Sequence, residues 1–128
     1  MTKGIRTTTL KSIVSGSAIA LLLVGLSATP AYANGTNWRF CYPGNTISGS
    51  SGSSWATTSA TYSGICGSVQ ARDWYQFTSS STTYWSAWKS STGSSVTVNL
   101  PAGQIGLGGE HKVSNPQPGY TGNFPFGT

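Results

Sequence analysis

The chain has 128 residues and a formal net charge of +5, and only 7% of its residues are charged. Two acids, one histidine and two cysteines are too few for a zinc cluster of ordinary type, and they supply a single pair of carboxylates for acid–base work. Five tryptophans in so small a chain point elsewhere, toward aromatic burial or aromatic recognition.

The N-terminus reads as an export signal. Lys3, Arg6 and Lys11 form a positive region without acids. Ile13 to Leu26 is mostly apolar, and Thr29-Pro30 precedes Ala31-Tyr32-Ala33, with small residues at the two positions a signal peptidase reads. Residues 1–33 are expected to be a cleaved secretory signal, which places residues 34–128 outside the cell. The apolar stretch is short for a span of ~20 residues and is interrupted by Ser15-Gly16-Ser17, which argues against a membrane anchor, and with no apolar span after residue 33 no stable membrane insertion is expected after cleavage. Cleavage leaves Arg39, Arg72, Lys89 and Lys112 against Asp73 and Glu110, a net +2. That is no stripe for nucleic acid, and it suits a weak attraction to an anionic cell surface.

Residues 34–114 are expected to form one small β domain. Outside the cell Cys41 and Cys66 read as a disulfide, and with two cysteines the pairing is forced. Helical periodicity is missing. Short β-branched and aromatic runs alternate with Gly, Ser and Pro, which predicts an all-β antiparallel sandwich or barrel. Trp38 to Tyr42 is the first expected strand. Residues 48–54, Ser-Gly-Ser-Ser-Gly-Ser-Ser, have the composition of a flexible linker and are expected to be a loop. Trp55 to Tyr62 and Ser68 to Phe77 follow as strands. In the second, Val69, Ala71, Tyr75 and Phe77 share a face opposite Gln70, Arg72, Trp74 and Gln76. Asp73 interrupts the apolar face, so a bulge or an edge position is expected there. Thr83 to Lys89 returns as the other arm of a hairpin, with Trp85 and Trp88 pointing opposite ways. Ser94 to Leu100 puts Val96, Val98 and Leu100 inward. Gln104 to Leu107 is a short strand ended by a Gly108-Gly109 turn, and Lys112-Val113 adds an edge pairing. Residues 115–128 form a Pro/Gly-rich C-terminal tail, which Pro116, Pro118 and Pro125 exclude from a central strand.

No catalytic group and no cofactor are expected. Glu110 and His111 are adjacent and would point to opposite faces of a strand. No G-x-S-x-G element accompanies the many serines. The Gly103–Gly109 run lacks both the phosphate-loop pattern and a following helix. His111 is expected in a surface turn, and no metal site is expected. The tryptophans cannot all be core, since Trp74 shares its face with Gln70, Arg72 and Gln76. Trp38, Arg39, Arg72, Trp74, Trp85 and Trp88 are therefore the candidate binding residues. An exposed indole stacks on a sugar ring while a neighbouring guanidinium takes hydroxyls or phosphates.

Gly35-Thr36-Asn37-Trp38 is similar to the Gly-Thr-Trp opening of the lactococcin-972-like bacteriocins. Cys66-Gly67-Ser68-Val69 falls where that family carries a short His/Ser/Val strand, and Tyr84-Trp85-Ser86-Ala87-Trp88-Lys89 resembles its later Trp-Ala-Lys stretch. Asn37 interrupts the opening motif, the central histidines are missing, and residues 115–128 have no counterpart. The resemblance implies a β-sandwich toxin that binds a cell-wall precursor and blocks septum formation in related bacteria. The expectation is thus a secreted, non-enzymatic binding protein, bacteriocin-like and antimicrobial, acting on the bacterial envelope through a cell-wall precursor or polysaccharide. Two alternatives stand beside it. One is a stand-alone carbohydrate-binding module. The other is a secreted hydrolase inhibitor presenting Trp38-Arg39-Phe40 on a loop.

Overall fold

The computed structural model describes residues 34–128; the expected signal segment 1–33 lies outside the described residues. The described chain is all-β. Its strands are β1 (Thr36–Tyr42), β2 (Asn45–Gly52), β3 (Trp55–Ala60), β4 (Val69–Phe77), β5 (Thr83–Trp85), β6 (Lys89–Ser91), β7 (Ser95–Asn99), β8 (Gln104–Val113) and β9 (Phe126–Gly127), with a 3-10 helix at Pro118–Asn123. They build two antiparallel sheets. The first has the order β1-β2-β3-β7. The second has the order β5-β4-β8-β9, with β6 also on β4. β5 pairs with Trp74–Gln76 and β6 with Val69–Ala71, so the two short strands line the same edge of β4 in tandem.

Alternation decides what lies between the sheets. Cys41, Ile47, Ala56, Val96 and Val98 of the first sheet face Val69, Ala71, Leu107 and Val113 of the second, all buried. The Cys41–Cys66 disulfide joins the end of β1 to the segment entering β4, with Cα atoms 6.2 Å apart. Its 25-residue separation corresponds to about 3–4 kcal/mol in the chain-entropy account. Asn45, buried beside it, fixes the loop after β3. Its Nδ2 donates to Tyr62 O (3.3 Å) and its Oδ1 accepts from Tyr62 N (2.9 Å).

The linker-like 48–54 run is not a loop. Ser48 to Gly52 belong to β2, a central strand paired with β1 on one side and β3 on the other. Its small residues answer a packing demand, because a Cβ on Gly49 would collide with the His111 ring. Gly108-Gly109 is likewise no turn. β8 runs through it for ten residues, opposite the whole of β4. There a Cβ on Gly109 would lie 2.8 Å from His111 Nε2. The expected irregularity near Asp73 is present one residue further on. Trp74 pairs with Gly108 and Tyr75 with Gly106, so Leu107 is the extra residue of a bulge on β8.

The tail crosses from one sheet to the other. Gln117 N donates to Cys41 O on β1 (2.9 Å), and Asn37 Nδ2 donates to Gly127 O (3.2 Å). Gly127 and Phe126 pair with Glu110 and His111 on β8. Phe126 is buried in the core cluster. The segment therefore closes one side of the sandwich instead of lying on it.

Candidate functional site

The outer face of the second sheet is set by the same alternation that builds the core. Val69, Ala71 and Asp73 point inward, so Arg72 and Trp74 point out. Register brings Trp85 beside Trp74 and Glu110 beside Arg72. Lys112, opposite Gln70, extends the row.

These side chains form a ladder of rings and cations. Trp74 and Trp85 stack with centroids 6.1 Å apart and planes at 28°. The Arg72 guanidinium lies 4.3 Å from the Trp85 centroid and 4.7 Å from that of Trp88. Lys112 Nζ lies 4.1 Å from the centroid of the same Trp88 ring. Each such contact contributes about 0.5–1 kcal/mol at an exposed site. Arg72 also forms an ion pair with Glu110, and that second anchor holds the guanidinium between the two indoles. Trp74 and Trp85 remain 38% and 46% exposed, which leaves indole surface free for a ligand.

Trp85 and Trp88 do not point opposite ways. The expected 83–89 strand breaks at Ser86, whose backbone N–H donates to Asp73 O (2.8 Å) and whose hydroxyl accepts from Asp73 N (2.9 Å). With the backbone N–H and C=O of Asp73 both taken by Ser86, residues 86–88 leave the strand and Trp88 returns on the side of Arg72. Sequence alternation applies only within an unbroken strand, and this break reverses it.

Four of the six candidate residues, Arg72, Trp74, Trp85 and Trp88, therefore share one face. Trp38 and Arg39 are elsewhere. They lie in β1, not on a loop, which removes the loop premise of the hydrolase-inhibitor alternative. Trp38 stands on the outer face of the first sheet against Phe40 (5.3 Å between centroids). Arg39 turns inward. It donates to Asn37 Oδ1 (2.8 Å) and Trp38 O (2.7 Å) and covers the Phe126 ring at 5.4 Å, fastening the tail. Glu110 and Lys112 belong to the ladder and were not among the candidates. Reading Gly108-Gly109 as a turn hid the alternation of 110 and 112 on a continuous strand.

Two titratable groups lie between the sheets. His111 is fully buried in β8, not in a surface turn. The Thr58 hydroxyl donates to Gln70 O (2.8 Å), so the same oxygen accepts from His111 Nδ1 (2.8 Å). Nε2 lies 2.9 Å from Thr128 Oγ1. Thr128 Oγ1 in turn donates to Ser51 Oγ (2.8 Å), and burial pushes the imidazole down to about 4. Asp73 is also fully buried, and neither carboxylate oxygen has a hydrogen-bond partner. Burial raises it to about 7. Asp73 and Glu110 point to opposite sides of the same sheet and do not meet. No pocket opens at the surface among the described residues.

Compared with known protein families, characterised proteins and solved structures, the chain matches none.

Proposed function

We propose that the chain is a secreted, non-enzymatic binding protein of bacteriocin-like type, and that the Trp–cation ladder takes a phosphate-bearing sugar of the bacterial envelope, such as a cell-wall precursor. One observation carries this reading: Arg72 and Lys112 alternate with Trp85 and Trp88 on a single exposed face. Indoles offer flat apolar surface to a sugar ring, and Arg and Lys offer donors to a phosphate. The resemblance to lactococcin-972-like proteins supports the same ligand class, and its later Trp-Ala-Lys stretch falls on Trp85, Trp88 and the start of β6.

The test is titration calorimetry of the purified protein with a soluble cell-wall precursor, beside growth inhibition across a panel of Gram-positive bacteria. Arg72→Ala and Trp85→Ala are expected to weaken binding at least tenfold and to lose inhibition together. Wild-type protein that neither binds the precursor nor inhibits any strain overturns the reading, as does undiminished binding by both variants.

A further inference from the structure

The outer face of the first sheet differs from the ladder in kind. Strand register lines up Thr36, Ser50, Thr57 and Thr97 in one row across all four strands. Trp38, Ser48, Ser59 and Ser95 form the next row. Thr36 and Ser50 share a hydrogen bond of 3.1 Å, and Thr57 and Thr97 one of 2.7 Å. Each bonded pair uses one of its two hydroxyl protons, leaving a donor and several lone pairs for a partner. The rows repeat at ~4.8 Å between strands and ~7 Å along them, the spacing of any pleated sheet.

This lattice is bordered by aromatics that face water. Trp38 is 54% exposed, and Phe40 and Trp55 stand on the same face, also exposed. The face carries no charged side chain. Of the six charged residues in 34–128, Arg72, Lys112 and Glu110 belong to the ladder, Lys89 lies in β6 of the second sheet, Asp73 is buried, and Arg39 turns inward to the tail.

We propose that this face is a second binding site, for the surface of a neutral, hydroxyl-rich polysaccharide. An uncharged lattice offers no counter-charge to a phosphate or a sulfate. It does offer hydroxyl hydrogen bonds beside flat rings, which together match a sugar's equatorial hydroxyls and its apolar face. Binding sites for isolated small molecules are concave. No pocket opens here and, unlike the ladder, the face has no charged side chain to hold a small ligand, so an extended flat partner gripped at many points fits better than a free sugar. Two faces on one sandwich then serve two ligands: the neutral face holds the protein on a glycan matrix while the cationic ladder meets a phosphate-bearing sugar. The neutral-face assignment stands on its own residues and does not depend on the ladder.

The experiment is co-sedimentation of the purified protein with particulate chitin and with particulate cellulose. Wild type is expected to bind at least one of them with an affinity unchanged between low salt and about 1 M salt, since no charges are paired. The double variant Trp38→Ala/Phe40→Ala and the single variant Thr97→Lys are each expected to weaken binding at least tenfold at an unchanged melting midpoint. Thr97→Lys sets a charge on the hydroxyl row at edge strand β7, at the cost of one surface hydrogen bond and no core packing, so it decides the matter if the double variant fails to fold. Arg72→Ala, which removes the centre of the ladder, is expected to bind the particles like wild type. The proposal is overturned if wild type sediments with neither particle, if salt abolishes the binding, if Thr97→Lys binds undiminished, or if Arg72→Ala loses binding equally. A failure with intact precursor binding leaves the ladder reading standing, so the two outcomes separate.

Discussion

The His111 ring occupies the space that a side chain on Gly49 would need, although the two residues lie on opposite sheets. The sandwich is closed around an imidazole, and the facing strand has been thinned to glycine to admit it. Gly49→Ala is therefore expected to destabilise by about 1–3 kcal/mol, the usual cost of overpacking a filled core. Pairing it with His111→Ala should recover part of that loss, because the new methyl then enters the vacated volume. Urea unfolding of both single variants and the double gives the coupling energy. Strict additivity contradicts the contact.

Asp73 and His111 are expected to oppose each other in the pH dependence of stability. Asp73 moves from 3.8 up to about 7 on folding. Between those values the folded chain holds a proton the unfolded chain has lost, so stability falls as pH rises. His111 moves from 6.5 down to about 4. Over that range the unfolded chain holds the extra proton, so stability rises with pH. The slopes cancel from about pH 4 to 6.5, and only the Asp73 slope remains from there to about 7. Wild type should be nearly flat across the shared window. Asp73→Asn should expose a rise approaching 1.4 kcal/mol per pH unit, and His111→Gln a fall of about the same size. Unfolding free energies measured at half-unit intervals read both slopes; flat profiles in the two variants would sink the account.

The tail is expected to be needed for the fold. Phe126 packs 5.4 Å from His111 and 5.8 Å from Phe124 and is only 5% exposed. Phe126→Ala should cost about 3–5 kcal/mol. Truncation after Asn115 also removes Gln117 from Cys41 O and Thr128 from His111 Nε2. A truncated chain that keeps the full melting temperature would return the segment to a surface appendage.

Sequence patterning is informative in a strand paired along both sides and silent where packing selects glycine. Period-two alternation in Val69–Phe77 correctly sets Val69 and Ala71 inward and Arg72 and Trp74 outward, because that strand is paired along both sides. Two cysteines leave one possible disulfide. Glycine-rich strands are illegible for a physical reason: a close approach between sheets and a flexible linker select the same small residues. Ser48–Gly52 and Gly106–Gly109 both fall in that class. His111 was hidden with them, since its burial depends on the space those glycines leave. The position of Trp88 rested on Ser86, whose hydroxyl ends a strand that composition alone would continue.

Arg72 holds the ladder together, and its replacement should be felt beyond the ligand site. Among the described residues it is the one cation placed between two indoles, and it is ion-paired to a partly buried Glu110. Arg72→Ala leaves that carboxylate without its partner and opens a gap between Trp85 and Trp88. A loss of about 1–3 kcal/mol is expected, in the range for a charge-assisted bond with one member removed. Tryptophan emission should change as well, because both indoles lose a cation from their faces. Arg72→Lys should restore little of this. A guanidinium is flat and presents a fork of donors, so it can lie between two rings and bond Glu110 at once, whereas a point-like ammonium satisfies one of these contacts at a time. Lys112→Ala, at the end of the row, should be close to neutral for stability. Chemical denaturation with emission spectra of the three variants checks the order. Equal stability of wild type and Arg72→Ala, with identical spectra, would show that the ladder is a coincidence of exposed side chains and not a built surface.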